Sequence, residues 1–272
     1  MSIAIITGAS SGIGEAFLSE VVNSTGKFGG TNIDAIWIIA RRADRLEALK
    51  KKYSNSNIVP IESDLTSEEG ISIIEHELSN KKPTIGLLIN CAGLGKRGKV
   101  IDRSKDDLSS TLDVNCKSLS ILTRLCLPYM VCTGGAFSWK QAPRIINLGS
   151  SAAFLPQPGF ACYAASKAYV LSFSRALSYE LHNLKIAVTV ICPGPVNTEF
   201  LSKATDSKES KFTGIRAMCV LSPEKLAKKG MKAAMRGRHL YVCGFMQKCL
   251  YLASKIVPTS WILSIEKILM PS

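Results

Sequence analysis

Thr7-Gly8-Ala9-Ser10-Ser11-Gly12-Ile13-Gly14 stands directly after the apolar run Ile3-Ala4-Ile5-Ile6. That run is short, rich in β-branched residues and closed by glycine, which predicts a buried strand. From Gly14 onward Phe17, Leu18, Val21 and Val22 recur at helical spacing, so the glycines fall on a strand-to-helix turn. Glycine permits positive φ and close backbone approach there, and the helix N-terminus offers unpaired N–H groups and a positive dipole end. A turn built this way suits the phosphates of a dinucleotide; glycines without that context would read as an ordinary tight turn.

Strand and helix patterns alternate along the rest of the chain. Strands are expected at 3–7, 35–40, 58–62, 85–90, 144–148, 187–192 and 239–243, and helices at 14–24, 43–53, 67–79, 105–132, 161–182 and 223–235. Such alternation predicts an α/β fold, a doubly wound and mostly parallel seven-stranded sheet with helices on both faces. The glycine-containing stretch 25–34 reads as an enlarged solvent loop without chemistry.

Tyr163 and Lys167 lie four apart in a helical pattern, which places phenol and ammonium on one face. A free phenol has a pKa of about 10, and a neighbouring cation is expected to draw it toward neutrality, where it can transfer a proton. Tyr and Lys at this spacing more often form a packed ring beside a solvated amine. Ser150, thirteen residues upstream of Tyr163, and the glycine-rich turn favour the chemical reading.

Taken together, Thr7-Gly8-x-x-x-Gly12-x-Gly14, Ser150, Tyr163 and Lys167 resemble the short-chain dehydrogenase/reductase family. Asn90-Cys91-Ala92-Gly93 is similar to its Asn-Asn-Ala-Gly segment, with Cys91 where Asn is common, and Asn115 falls where the family has its catalytic Asn. The segment 145–151 resembles the strand that delivers the catalytic Ser, and 193–198 the Pro-Gly motif at the nicotinamide. The likeness covers residues 3 to about 200. It implies a Rossmann-like fold and hydride transfer between nicotinamide and a carbonyl or alcohol. Tyr163 is then the proton donor in reduction, Ser150 holds the reacting oxygen, Lys167 lowers the Tyr pKa and binds the nicotinamide ribose, and Asn115 supports a water relay to Lys167. It also implies that the cofactor touches Gly8, Ser10, Ser11, Gly12, Ile13, Gly14, Asp64, Leu65, Asn90, Ala92, Gly93, Tyr163, Lys167, Pro193, Gly194, Val196 and Thr198.

The end of the second strand bears on which cofactor. An acidic residue there would accept hydrogen bonds from the ribose 2′-OH of NAD, whereas this chain has Ala40, Arg41 and Arg42. Cations suit a 2′-phosphate, so NADP(H) is expected, with Arg41 the stronger candidate and Arg42 readable as a solvated helix start. Asp64 resembles the family's adenine-contacting Asp, and 64–68 also reads as an N-cap box. Cys91 is expected to pack beside the cofactor, close enough to be oxidant-sensitive.

Two other functions compete. Gly8-Ala9-Ser10-Ser11-Gly12 also matches the nucleophile elbow of a serine hydrolase at Ser10, but a single strand precedes it and leaves no earlier loop for an oxyanion donor. A non-catalytic nucleotide sensor on the same fold is the second, since fold does not determine function. Phe154, Leu155, Pro156, Pro158 and Phe160 are expected to border the substrate pocket, favouring an apolar ketone, aldehyde or 3-ketoacyl substrate. Oligomer packing is the plainer fate for some of them.

At 272 residues the chain can bury a large core as one dehydrogenase domain spanning 1–272. Nine Cys without a C-x-x-C and three scattered His suggest no metal site and free thiols in a reducing, cytoplasmic setting. The first strand begins almost at Met1, leaving no room for a signal peptide, and Lys255 and Pro258 interrupt the most apolar stretch. The net charge of +13 is concentrated from Phe200 onward, where thirteen Lys or Arg face four Asp or Glu. Within this region a substrate lid is expected at about 196–221, with Lys203, Lys208 and Lys211, followed by an apolar, basic segment at 245–272. The second is expected to cover a homo-oligomer partner in a dimer or tetramer, with peripheral membrane contact the less favoured fate. Nucleic acid is not expected, because no binding motif accompanies the cations.

Overall fold

Every residue of Ser2–Thr7, strand β1, is buried, because its two faces meet two different apolar layers. The computed structural model describes residues 1–24, 28, 30–131, 139, 141–200, 204 and 220–261. The remaining strands are β2 (Ala35–Ala40), β3 (Ile58–Glu62), β4 (Thr84–Asn90), β5 (Arg144–Leu148), β6 (Ala187–Pro193) and β7 (Leu240–Cys243). They form one seven-stranded sheet in the order β3-β2-β1-β4-β5-β6-β7, and each neighbouring pair is parallel.

Helices α1 (Gly12–Val22), α2 (Ala43–Lys52), α3 (Glu68–Lys81), α4 (Lys105–Leu112), α5 (Leu119–Cys126), α6 (Ala161–Glu180), α7 (Pro223–Met235) and α8 (Phe245–Ile256) follow in chain order. The period of two in β1 sorts them into layers. Ala4 and Ile6 join Phe17 and Leu18 of α1, Leu46 of α2 and Leu226 and Met231 of α7 in one cluster. Ile3 and Ile5 join Ile74 and Leu78 of α3, Leu122 of α5 and Leu177 of α6 in the other. The chain therefore runs β1 to β3 on one side of the sheet's centre and β4 to β7 on the other. The reversal between β1 and β4 opens a crevice at the carboxyl ends of these strands, where open α/β sheets bind ligands.

Two expectations differ from the structure. The single helix expected over 105–132 is broken: α4 passes into a π-helical stretch, Asp113–Ser118, before α5 resumes. Ser118 Oγ donates to the Asp113 carbonyl at 2.6 Å inside that stretch, and a 3₁₀ turn, Leu127–Tyr129, with Pro128 in its first turn closes the run. The loop 25–34 is not purely solvent-facing: Phe28 is buried in the core, and Thr31 Oγ1 donates to Ser2 Oγ at 2.7 Å. The C-terminal helix stops at Ile256, two residues before Pro258, because a proline cannot continue the hydrogen-bond ladder.

The buried Gln247 side chain of α8 packs against the Gly194 turn, and Tyr251 packs on Phe154 with ring centroids 4.9 Å apart. Phe245, Met246, Leu252 and Ile256 face outward. Most of the expected lid, including Lys203, Lys208 and Lys211, and the tail beyond Trp261 lie outside the described residues. Among the described residues no helix is long and apolar enough to cross a membrane.

Candidate active site

The turn after β1 is left-handed at Gly8 (φ 65°) and at Gly12 (φ 58°). A Cβ on Gly8 would lie 2.9 Å from both the amide nitrogen and Cα of Ala92, and one on Gly14 would lie 2.2 Å from the Gly8 carbonyl oxygen. Side chains at these positions would force the backbone apart, so the turn needs glycine for both conformation and contact. Thr7 Oγ1 accepts from the Cys91 and Ala92 amides, each at 3.1 Å, and so ties the ends of β1 and β4 together. Ser11 caps α1 without a side-chain hydrogen bond to it. The backbone here forms a cradle open to a phosphate, and a dinucleotide fits the residues present.

That cradle is one end of a cavity of about 410 Å³. Each residue expected to contact the cofactor lines it except Asn90. Asn90 is buried behind the wall, where Nδ2 donates to Thr123 Oγ1 at 3.2 Å and to Asn147 Oδ1 at 2.9 Å. It joins β4 to β5 and α5. Cys91 lines the cavity as expected, and Gly95, Arg97, Val114 and Phe200, which the sequence reading missed, line it too; they carry no local signature.

Beside the cradle the order of the two arginines reverses. Arg41 is 70% exposed and reaches Asp64 Oδ2 at 3.8 Å. Arg42 instead lies over the glycine turn: Nη2 donates to Ser10 Oγ at 3.0 Å and to Ser11 Oγ at 2.9 Å, while Nη1 meets Glu199 at 3.2 Å. Asp64 does not cap α3; that role belongs to Ser67, whose Oγ accepts from the Gly70 amide. Burial pushes the Asp64 carboxyl up, but two bonds from Thr66 and the charge of Arg41 outweigh it, leaving it below its ordinary range.

Tyr163 and Lys167 rise from α6 on one face, with Lys167 Nζ 5.7 Å from the phenol ring centre. The expectation that the ammonium lowers the phenol pKa is not met. Burial pushes Tyr163 up to about 12 against the opposing effect of the Ser150 hydroxyl, and pushes Lys167 down to about 8. Lys167 Nζ spends a proton on the Leu148 carbonyl at 2.9 Å. Ser150 Oγ accepts from the Ala152 amide at 3.1 Å, which orients the hydroxyl on a short 3₁₀ turn, Ser151–Phe154.

Asn115 lies behind the wall, on the π-helical stretch. Its Oδ1 accepts from the Leu94 amide at 2.9 Å, and its Nδ2 donates to the Leu94 carbonyl at 2.7 Å and to Ser166 Oγ at 2.8 Å. A Cβ built on Gly93 would stand 3.4 Å from Asn115 Oδ1 and 3.6 Å from Lys167 Nζ.

The substrate side is narrower than expected. Of the five apolar residues between Ser150 and Tyr163, Phe160 lines the cavity, its ring 4.3 Å from that of Tyr163 and 18° from parallel. Phe154 turns away to Tyr251. Cys91 lines the wall, and burial pushes its thiol up to about 12 despite Lys167. Ser10 Oγ is held by the Arg42 guanidinium, and none of the three histidines lines the cavity. A guanidinium cannot take a proton from a serine, so no hydrolase nucleophile is built there.

A glycine cradle at the switch point of a parallel sheet, continuous with a wall bearing serine, tyrosine and lysine, defines a nicotinamide-dependent oxidoreductase of the doubly wound class. The family model for short chain dehydrogenases matches residues 2–209, and this chain belongs to that family. It is 31% identical over 227 residues to a short-chain type dehydrogenase/reductase of Sinorhizobium fredii, covering 83% of this chain and 82% of that one. An NADP-dependent 3-hydroxy acid dehydrogenase of Salmonella typhi is 33% identical over 214 residues, 77% of this chain and 80% of its own length. A short-chain dehydrogenase from Sphingobium yanoikuyae, solved with NADPH, superposes with a TM-score of 0.74 at 24% identity over 97% of this chain and 96% of that one, a likeness of fold.

Proposed function

We propose that the protein is an NADP(H)-dependent oxidoreductase whose favoured direction is reduction of an apolar ketone, aldehyde or 3-ketoacyl carbonyl. The observation that carries this is the continuity of the glycine cradle with Ser150, Tyr163 and Lys167 around one cavity. The bound nicotinamide supplies the hydride. As the carbonyl oxygen gains charge, the Tyr163 hydroxyl gives it a proton and the Ser150 hydroxyl donates a hydrogen bond. A phenol with a pKa of about 12 is fully protonated at neutral pH, which suits a proton donor. Lys167, at about 8, is mostly charged there and stabilises the phenolate that remains. Asn115 anchors the wall and offers Oδ1 to a water between itself and Lys167, through which the phenol is reprotonated.

Arg42, with Arg41 at the rim, supports NADP(H) over NAD(H), as does the dependence of the Salmonella relative on NADP. Phe160 and Phe200 beside Tyr163 support an apolar carbonyl. The test is NADPH consumption against a panel of carbonyls, with NADH in parallel. Equal kinetics with both cofactors overturns the cofactor assignment, and tight NADPH binding without turnover of any carbonyl points to a sensor.

A further inference from the structure

Thr198, Glu199 and Phe200 follow the Pro-Gly turn, and their side chains touch three parts of the cavity. A Cβ on Gly12 would lie 3.0 Å from Thr198 Cγ2. Phe200 stands over the catalytic phenol, ring centroids 5.4 Å apart. Between them Glu199 crosses to the first half of the fold, accepting from Arg42 Nη1 at 3.2 Å and from Arg45 Nη1 at 2.7 Å. Arg42 is thereby divided: Nε and Nη2 face Ser10 and Ser11 of the phosphate turn, and Nη1 faces the carboxylate.

We propose that Glu199 is an internal occupant of the 2′-phosphate site, a carboxylate that holds Arg42 and Arg45 in the cofactor-free protein and yields them to the 2′-phosphate of NADP(H). This rests on the NADP(H) reading above. The exchange is between like partners, since a guanidinium binds either anion through paired N–H donors. The phosphate has the greater charge and one more acceptor oxygen. Glu199 is 45% exposed and its arginine partners are 32% and 40% exposed, so the ion pairs that must open are solvent-screened and weak. The bonds from Arg45 and Arg42 hold the Glu199 carboxyl below its ordinary range, which keeps it an anion through the neutral range. Removing it raises the combined charge of Arg42, Arg45 and residue 199 from +1 to +2. Because Phe200 is the next residue, the exchange also unties the chain that covers Tyr163.

The test is calorimetric binding of 2′,5′-ADP and of ADP, which differ by the 2′-phosphate, to the unmodified protein, Glu199→Gln and Arg42→Ala/Arg45→Ala with and without Glu199→Gln. Glu199→Gln is expected to tighten 2′,5′-ADP by about three- to tenfold at low salt, to leave ADP unchanged, and to lose most of the gain in about 0.5 M salt. In the double-alanine background the gain should vanish. Unchanged or weaker 2′,5′-ADP binding by a Glu199→Gln protein with a normal melting curve overturns the proposal, because Glu199 would then be orienting Arg42 rather than competing for it. An unmodified protein that binds 2′,5′-ADP no tighter than ADP overturns the NADP(H) assignment itself, whatever Glu199→Gln does.

Discussion

Asn115 and Leu94 grip each other at two points, the side-chain amide of one pairing with both backbone groups of the other at 2.7 and 2.9 Å. This pairing fixes the loop after β4 against the π-helical stretch and leaves a second lone pair on Oδ1 facing the space beside Gly93. Gly93→Ala tests what fills that space. The new methyl would make ordinary contacts, 3.4 Å from Asn115 Oδ1 and 3.6 Å from Lys167 Nζ, so the fold should be intact. It would exclude a water joining the two groups, and kcat should fall by about tenfold with cofactor affinity retained. Asn115→Ala should differ by costing about 1–3 kcal/mol of stability as well, because the Leu94 groups lose their partner. Thermal melts and steady-state kinetics of the two variants separate the effects.

Tyr163→Phe keeps the stacking on Phe160, with ring centroids 4.3 Å apart, and removes the transferable proton. The kcat for carbonyl reduction should fall on the order of a hundredfold or more while NADPH still binds. Fluorescence titration with NADPH beside turnover checks both halves. Near-normal turnover would show that another group is the acid.

The period of two in β1 and the 3.6 period of α1 are local properties, which is why the glycine turn and the layers were legible from residues alone. The Tyr163–Lys167 face was legible for the same reason. Their pKa values were not, since they are set mainly by burial, a property of the whole fold. The break at Asp113–Ser118 escaped because the apolar period runs on through it, and the tertiary bonds of Asn115 accompany the break. Arg42 was ranked below Arg41 because neighbouring residues give no hint of which guanidinium turns toward Ser10, and Glu199, the partner of Arg42, is 157 residues away.

Under the proposed mechanism Lys167 is expected to set the alkaline limb of the reaction. Burial lowers its pKa from 10.5 to about 8, so the ammonium is present below that pH and is lost above it. If reduction needs the charge, kcat/KM should decline as pH rises through about 8 rather than through 10.5. The stability contribution has the opposite direction: the unfolded chain holds this proton more tightly, so between those two values folding is favoured by rising pH. Rate profiles and melting curves from pH 6 to 10 check the pair, and an alkaline limb near 10 would remove Lys167 from the rate.

Arg42→Ala should raise the KM for NADPH by about tenfold or more and leave that for NADH within about twofold, because a guanidinium on a phosphate is a charge-assisted contact. Arg41→Ala should do less, since Arg41 is 70% exposed and screened by solvent. Initial rates with both cofactors for both variants decide the ranking, and a larger effect at Arg41 would reverse it.

Gly8 and Gly159 provide a matched pair for the cradle. Both are left-handed, at φ 65° and φ 70°, but a Cβ on Gly159 meets no heavy atom within 4 Å, while one on Gly8 meets the Ala92 backbone at 2.9 Å. Gly159→Ala should therefore cost about 1–2 kcal/mol, the conformational penalty alone, and keep cofactor affinity. Gly8→Ala carries the same penalty together with an overpacking cost of about 1–3 kcal/mol that falls on the backbone pair tying β1 to β4. Its distortion is directed into the phosphate cradle, so the Kd for NADPH should rise roughly tenfold or more where Gly159→Ala leaves it unchanged. Chemical denaturation and NADPH titration of the two variants check the comparison. Equal affinities would mean that the Gly8–Ala92 approach does not shape the cradle.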